Sequence, residues 1–152
     1  MAPISVSAER TVGAPAPEVY GYIADHRDHH ANFLPPQFSD FQVESGGVGA
    51  GTITRFKLTA GGRTRELRTE VAEPEPGRVL TESDTLSSSV TTWTVTPEGN
   101  ACRVRISTTW RGAGGVGGFF EKTFAPRMLR RVYDDELSRL DAYARERHGS
   151  PA

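Results

Sequence analysis

The sequence contains one cysteine, Cys102, in 152 residues. No intramolecular disulfide can form, and a lone thiol fits a reducing compartment. Nor is there a basic excess: 18 lysines and arginines stand against 19 acidic residues, for a formal net charge of -1. A protein that neutralises nucleic-acid phosphates needs such an excess on at least one face, so no nucleic-acid partner is expected. No run approaches the length of about 18 apolar residues that a membrane-crossing helix needs. The opening MAPISVSAERTVGAPAPEVY has no basic stretch followed by an apolar one, so no secretion signal is read there. Repeats and linkers are missing as well. The expectation is one cytoplasmic domain spanning 1–152, with its core over about 4–147, a loose tail at 148–152, and a monomeric or homodimeric state.

Strand signals dominate what is present. ISVSAERTV, Ile4 to Val12, alternates as a strand does. After the break GAPAP, a short helix opens near Pro17, where proline is tolerated, with Val19, Tyr22 and Ile23 on its buried face. Pro35-Pro36 stops any helix that follows. From Phe38 to Arg111 the pattern is strand after strand, punctuated by Gly and Pro turns, and two hairpins can be written with their register. In TITRFKLTAGGRTRELRTEV, Gly61-Gly62 suits a two-residue turn. Pairing outward sets Leu58 opposite Arg65, Phe56 opposite Leu67 and Thr54 opposite Thr69. One face is then apolar and buried, with Arg65 as its exception. The other carries Arg55, Lys57, Glu66, Arg68 and Glu70 and is wet. In the second hairpin a four-residue turn, Pro97 to Asn100, pairs Thr96 with Ala101, Trp93 with Val104 and Thr91 with Ile106. Its inner face is Thr91, Trp93, Val95, Cys102, Val104, Ile106, Thr108 and Trp110.

A sheet with one apolar face needs a cover. Leu129, Val132, Tyr133, Leu137, Leu140 and Ala144 recur at helical spacing, predicting a helix from Pro126 to Arg147. Phe119, Phe120 and Phe124 precede Pro126, where a kink or a separate short helix is expected. The fold class is therefore α+β: about seven antiparallel strands, two short helices after the first strand, and one long C-terminal helix.

Three stretches, PAPEVYGYIADHRDHHANFLPP, VTTWTVTPEGNACRVRIS and the terminal helix, make the chain resemble the START-like SRPBCC superfamily, in its polyketide cyclase/dehydrase and lipid-transport branch. The resemblance runs over roughly Ile4 to Arg147. It implies the helix-grip fold, a curved sheet wrapped around the C-terminal helix with a cavity between them. It implies no cofactor and no metal.

Against that background the candidate residues can be ranked. ADHRDHHANFLPP holds three of the four histidines, His26, His29 and His30. His26 and His30 are four apart and could reach one metal, but two histidines without a third ligand make a poor site. The expected reading is an exposed turn near the cavity mouth, with Asp25 as a cap. SGGVGAGT, Ser45 to Thr52, lacks the Gly-Lys-Ser/Thr ending of a phosphate loop and reads as a flexible hairpin loop. Cys102 reads as a small buried hydrophobe. The ligand-binding set expected between sheet and helix is Phe33, Thr54, Phe56, Arg65, Leu67 and Thr69, with Thr91, Trp93, Thr108, Trp110, Phe124 and Met128. A few polar groups among apolar and aromatic walls is the composition of a small-molecule pocket. Glu82 and Asp84 are catalytic candidates only if their strand turns that face inward.

Three functions follow. The first is binding of a hydrophobic or aromatic small molecule, lipid or polyketide-like. The second is a cyclase or dehydratase using the same cavity, which needs an inward, shielded proton donor or acceptor. The third is a protein-interaction module whose cavity has collapsed around Trp93, Trp110 and Phe124.

Overall fold

The computed structural model describes residues 3–60, 62–111 and 126–149. The expected kink before Pro126, and with it Phe119, Phe120 and Phe124, lies outside the described residues. Seven strands form one antiparallel sheet: β1 (Pro3–Val12), β2 (Phe38–Ser45), β3 (Ile53–Ala60), β4 (Arg63–Glu75), β5 (Val79–Asp84), β6 (Val90–Glu98) and β7 (Ala101–Arg111). Their order is β1-β7-β6-β5-β4-β3-β2, so the chain enters at one edge, crosses to the other, and returns strand by strand. Helix α1 (Ala16–Ala24) and a 3-10 turn (His30–Phe33) make the crossing. Helix α2 (Pro126–Gly149) lies along β1 and the concave face.

The β3–β4 register is as predicted, from Thr54 opposite Thr69 to Leu58 opposite Arg65. The β6–β7 register is not. Ala101 pairs with Glu98, Val104 with Val95, Ile106 with Trp93 and Thr108 with Thr91, two residues from the expected pairing. Gly99, at φ 62°, lets a two-residue turn replace the four-residue one. Pro97 is tolerated inside this strand because its nitrogen points to the β5 side, where the β5–β6 pairing ends at Thr94. A slip of two residues preserves the faces, so Trp93, Val95, Cys102, Val104, Ile106, Thr108 and Trp110 are all buried as expected. Burial raises the Cys102 thiol to about 11, with the nearby Glu98 and Asp141 charges adding to it.

On α1 the buried face is Ala16, Val19, Tyr20, Ile23 and Ala24, so Tyr20 takes the place expected of Tyr22. Tyr22 instead packs its edge against Tyr143 of α2, with ring centroids 5.3 Å apart. Helix α2 buries the predicted stripe, and with it Glu136 and Asp141. Asp141 ties the helix to the end of β1: its carboxylate accepts from Gly13 N at 2.9 Å, Arg145 Nε at 2.7 Å and Arg10 Nε at 3.2 Å.

Candidate functional site

The inner face of the sheet and α2 enclose a cavity of about 600 Å³, counting the space open at its mouth. Its apolar wall is built by Phe38, Phe41, Phe56, Leu58, Leu67, Trp93 and Ile106 from the strands, with Leu34 and Leu129 beside them. A bulge puts Phe41 there. Ser39 pairs with Lys57 and Gln42 with Arg55, so Asp40 and Phe41 together face Phe56. Asp40 takes φ 53°, and the extra residue turns Phe41 to the same side as Phe38. The Phe56 ring lies 5.6 Å from Phe38 and 6.1 Å from Phe41, centroid to centroid.

The polar wall is Thr69, Glu82, Ser89, Thr91, Thr108, Tyr133, Glu136 and His30. Thr91 and Thr108 share a hydrogen bond of 2.7 Å, and Thr108 shares another with the Tyr133 hydroxyl. Thr69 bonds Thr54 at 2.6 Å. Each threonine thus has a hydrogen-bond partner and keeps acceptor capacity toward the cavity.

β5 turns Glu82 and Asp84 inward. The indole Nε1 of Trp93 donates to Glu82 Oε1 at 2.6 Å, and His26 Nε2 stands 3.5 Å from Oε2. Desolvation alone would raise the Glu82 carboxyl. The indole N–H, together with the two imidazoles when they are protonated, outweighs it and lowers the group. His30 is lowered to about 4, chiefly by burial and secondarily by His26. Glu136 is pushed well above the usual carboxylate range, first by burial and then by the Glu82 charge. Burial likewise keeps the Tyr133 phenol protonated.

The histidines depart from the expected exposed turn. His26 is 1% exposed and His30 3%. Asp25 does cap the turn, its Oδ1 accepting from Arg27 N and Asp28 N. But the turn is pinned inward by the glycine loop, where His26 N donates to Gly47 O at 2.8 Å and Gly49 N to Ala24 O at 3.0 Å. Glycine is required at the second contact. Gly49 has φ 69°, and a Cβ there would fall 2.4 Å from Glu73 Oε1. Only His29 stays at the surface, half-buried, with Nδ1 2.7 Å from the Tyr143 hydroxyl.

A family model described as polyketide cyclase / dehydrase and lipid transport matches residues 3–145. The chain belongs to that family. Among solved structures, the solution structure of the KanY protein (ms6282) is 38% identical over 95% of this chain and 99% of that one, with a TM-score of 0.84. The Zhui aromatase/cyclase from Streptomyces sp. R1128 is 16% identical, covering 97% of this chain and 96% of that one, with a TM-score of 0.75. A norcoclaurine synthase point mutant from Thalictrum flavum, in complex with a transition-state analogue, is 17% identical over 98% of both chains, with a TM-score of 0.73. At such identities the last two share the fold. No curated protein matches.

In this family member the cavity brings together Phe56, Leu67, Thr69, Thr91, Trp93, Thr108 and Glu82 from the sequence-derived set. It leaves others aside. Thr54 is buried behind Thr69, and Phe33 is packed between His30, Trp93 and Tyr143. Trp110 is buried in the core outside the lining, Met128 is half-buried on α2 next to the lining Leu129, and Phe124 lies outside the described residues. Arg65 neither lines the cavity nor reaches water. Its Nη2 is 3.0 Å from Asp84 Oδ2, with both residues 7% exposed. Sequence reasoning missed His26, His30, Tyr133 and Glu136 as site residues. Each had a signal: Ile23, His26, His30 and Phe33 follow one another at helical spacing, and Glu136 lies on the α2 stripe seven residues after Leu129. Trp93 walls the cavity rather than filling it, unlike the collapsed arrangement an interaction module would need. Among the described residues no helix is long and apolar enough to cross a membrane.

Proposed function

We propose that this chain binds a flat, largely apolar small molecule of aromatic or polyketide type between the sheet and α2. The carrying observation is the division of the cavity wall. Phe38, Phe41, Phe56 and Trp93 supply aromatic surface, while Thr69, Thr91 and Thr108 on the same sheet and Tyr133 on α2 supply hydroxyls. A ring system laid on the aromatic wall gains about 25 cal/mol per Å² of apolar surface buried, and its oxygens replace water bonds with hydroxyl bonds. Two tryptophans are present, so Trp110→Phe leaves Trp93 as the only indole. In that background 1-hydroxyanthraquinone is expected to quench Trp93 fluorescence saturably. Thr91→Phe, which fills the cavity without adding an indole, is expected to weaken the quenching at least tenfold. No saturable quenching, or equal affinity in the filled variant, removes the reading.

A second reading is catalysis of the cyclase or dehydratase type. It is favoured by one observation, that the Tyr133 hydroxyl and Glu136 carboxyl on α2 face the same cavity as Glu82 on β5. Such chemistry needs proton donors and acceptors at the bound molecule. Native mass spectrometry with a poly-β-ketone mimic separates the two: a bound mass that loses one water over time is catalysis, a constant one is binding alone.

A further inference from the structure

His26 and His30 leave the end of α1 on one turn, their backbone nitrogens bonded to Gly47 O and Asp25 O, each at 2.8 Å. Their rings stack at 4.5 Å with an 11° tilt. The Nδ1 of His26 is 3.0 Å from Ala24 O, and that of His30 is 2.7 Å from Ile23 O. A carbonyl oxygen only accepts, so both Nδ1 atoms carry hydrogen, and a ring in its neutral form presents its Nε2 lone pair. Those two lone pairs face a carboxylate. Glu82 Oε1 is already occupied by the Trp93 N–H, and its Oε2 is turned to His26. The ligand atoms of His26, His30 and Glu82 all lie within 4.8 Å of one another. His26 Nε2 is buried and has no hydrogen-bond partner, its approach to Glu82 being 3.5 Å. Glu136 Oε2 adds a further oxygen 3.8 Å from His30 Nε2. Ligand atoms converge from the histidine turn and β5, with the Glu136 carboxyl of α2 beside them, and a cation between the three ligands relieves them at once.

We propose that His26, His30 and Glu82 form a three-ligand site for a first-row divalent transition-metal ion, Zn²⁺ by preference. The donor set decides the class: two imidazoles and one carboxylate suit Zn²⁺ and its neighbours, whereas Ca²⁺ and Mg²⁺ take oxygen. The supports around the ligands fit as well. Carbonyls of Ala24 and Ile23 fix the ring tautomers, and Trp93 orients the carboxylate, the kind of outer shell metal ligands ordinarily have. His30 and Glu82 line the cavity, so the fourth position of a tetrahedral ion opens toward the bound molecule. Closing on an ion at about 2.1 Å requires the two rings to turn out of their near-parallel stack. The Nδ1 bonds act as the pivots. The ion site stands on side-chain geometry alone, whatever molecule fills the cavity.

The test uses untagged full-length protein, stripped with chelator and titrated with Zn²⁺ by calorimetry and with Co²⁺ by visible absorption. The expected result is one ion per chain and a tetrahedral Co²⁺ spectrum. His26→Ala, His30→Ala and Glu82→Gln should each weaken binding by at least about tenfold. His29→Ala and His148→Ala, which remove the other two histidines, should leave it unchanged. Glu82→Gln keeps an acceptor for the Trp93 N–H, so it reports on the site even if a histidine variant fails to fold. The proposal is overturned by absence of one-to-one binding in wild type, or by binding that survives Glu82→Gln and falls with His29 or His148. It is equally overturned if the ¹⁵N signal of His26 Nε2 is that of a protonated nitrogen and Zn²⁺ does not move it.

Discussion

Glu82 and Asp84 sit two residues apart on β5, on the same inward face, and the protein treats them in opposite ways. Asp84 is saturated. Its Oδ2 takes Arg65 Nη2 at 3.0 Å and the Ser87 hydroxyl at 2.7 Å, while its Oδ1 takes the backbone N–H groups of Arg68 and Leu86. Glu82 has one short bond, from Trp93, and a looser approach from His26, and it lines the cavity. A buried carboxylate with every lone pair committed holds the fold together. One left incompletely paired beside a cavity is held ready for something else.

Breaking the saturated partner carries the largest expected effect. Asp84→Ala leaves the Arg65 guanidinium buried without its carboxylate and strips acceptors from Arg68 N and Leu86 N. Urea unfolding should show a loss of about 3–5 kcal/mol. The double variant Arg65→Met, Asp84→Leu should recover much of it, because a packed apolar pair replaces the ion pair without stranding a charge. A loss below about 1 kcal/mol for Asp84→Ala would mean that the pair is no structural clamp.

Much of this was legible in the chain and some was not, for reasons that attach to particular residues. Alternation fixed which residues face inward even where the β6–β7 pairing slipped, because a slip of two leaves every side chain on its own face. Pro97 reads locally as a turn residue, and only the place where β5 ends shows that its nitrogen needs no partner. Arg65 could be placed on the apolar face, but its partner could not be named while the inward side of β5 was open. His26 and His30 were separated from their third neighbour, Glu82, by more than fifty residues of sequence and by the glycine loop that pins their turn. Local spacing records helix faces and hairpins. It carries no information about which strand a turn will meet.

Asp141 lies between these two cases. Its carboxylate is buried and fully engaged like that of Asp84, but two of its three partners, Arg10 and Arg145, have side chains 46% and 61% exposed. Burial alone would raise its pKa. The Gly13 N–H and the two guanidiniums more than offset that and hold it below the ordinary range. A depressed folded pKa contributes stability above the unfolded value, about 3.9, and that stability is lost as pH falls through the folded value. Asp141→Asn should therefore cost about 1 kcal/mol at neutral pH, solvent screening at the arginines keeping it small. It should also flatten the fall of the urea midpoint as pH drops below 4. An unchanged acid profile would sink the assignment.

The smallest effect on stability is expected at Glu82, the residue with the strongest claim to function. Glu82→Gln is close to isosteric, keeps an oxygen for the Trp93 N–H, and removes a charge that no buried guanidinium needs. It also relieves the neighbouring Glu136 carboxyl of a like charge. With both histidine rings neutral, as the ion site requires, the unfolding free energy should change by less than is expected for Asp141→Asn, within about 0.5 kcal/mol in either direction. Two inward carboxylates on one strand would then differ severalfold in what they contribute to the fold. A loss at Glu82→Gln approaching that at Asp84→Ala would instead make Glu82 a structural anchor for the histidine turn, and the distinction drawn from their bonding would fail.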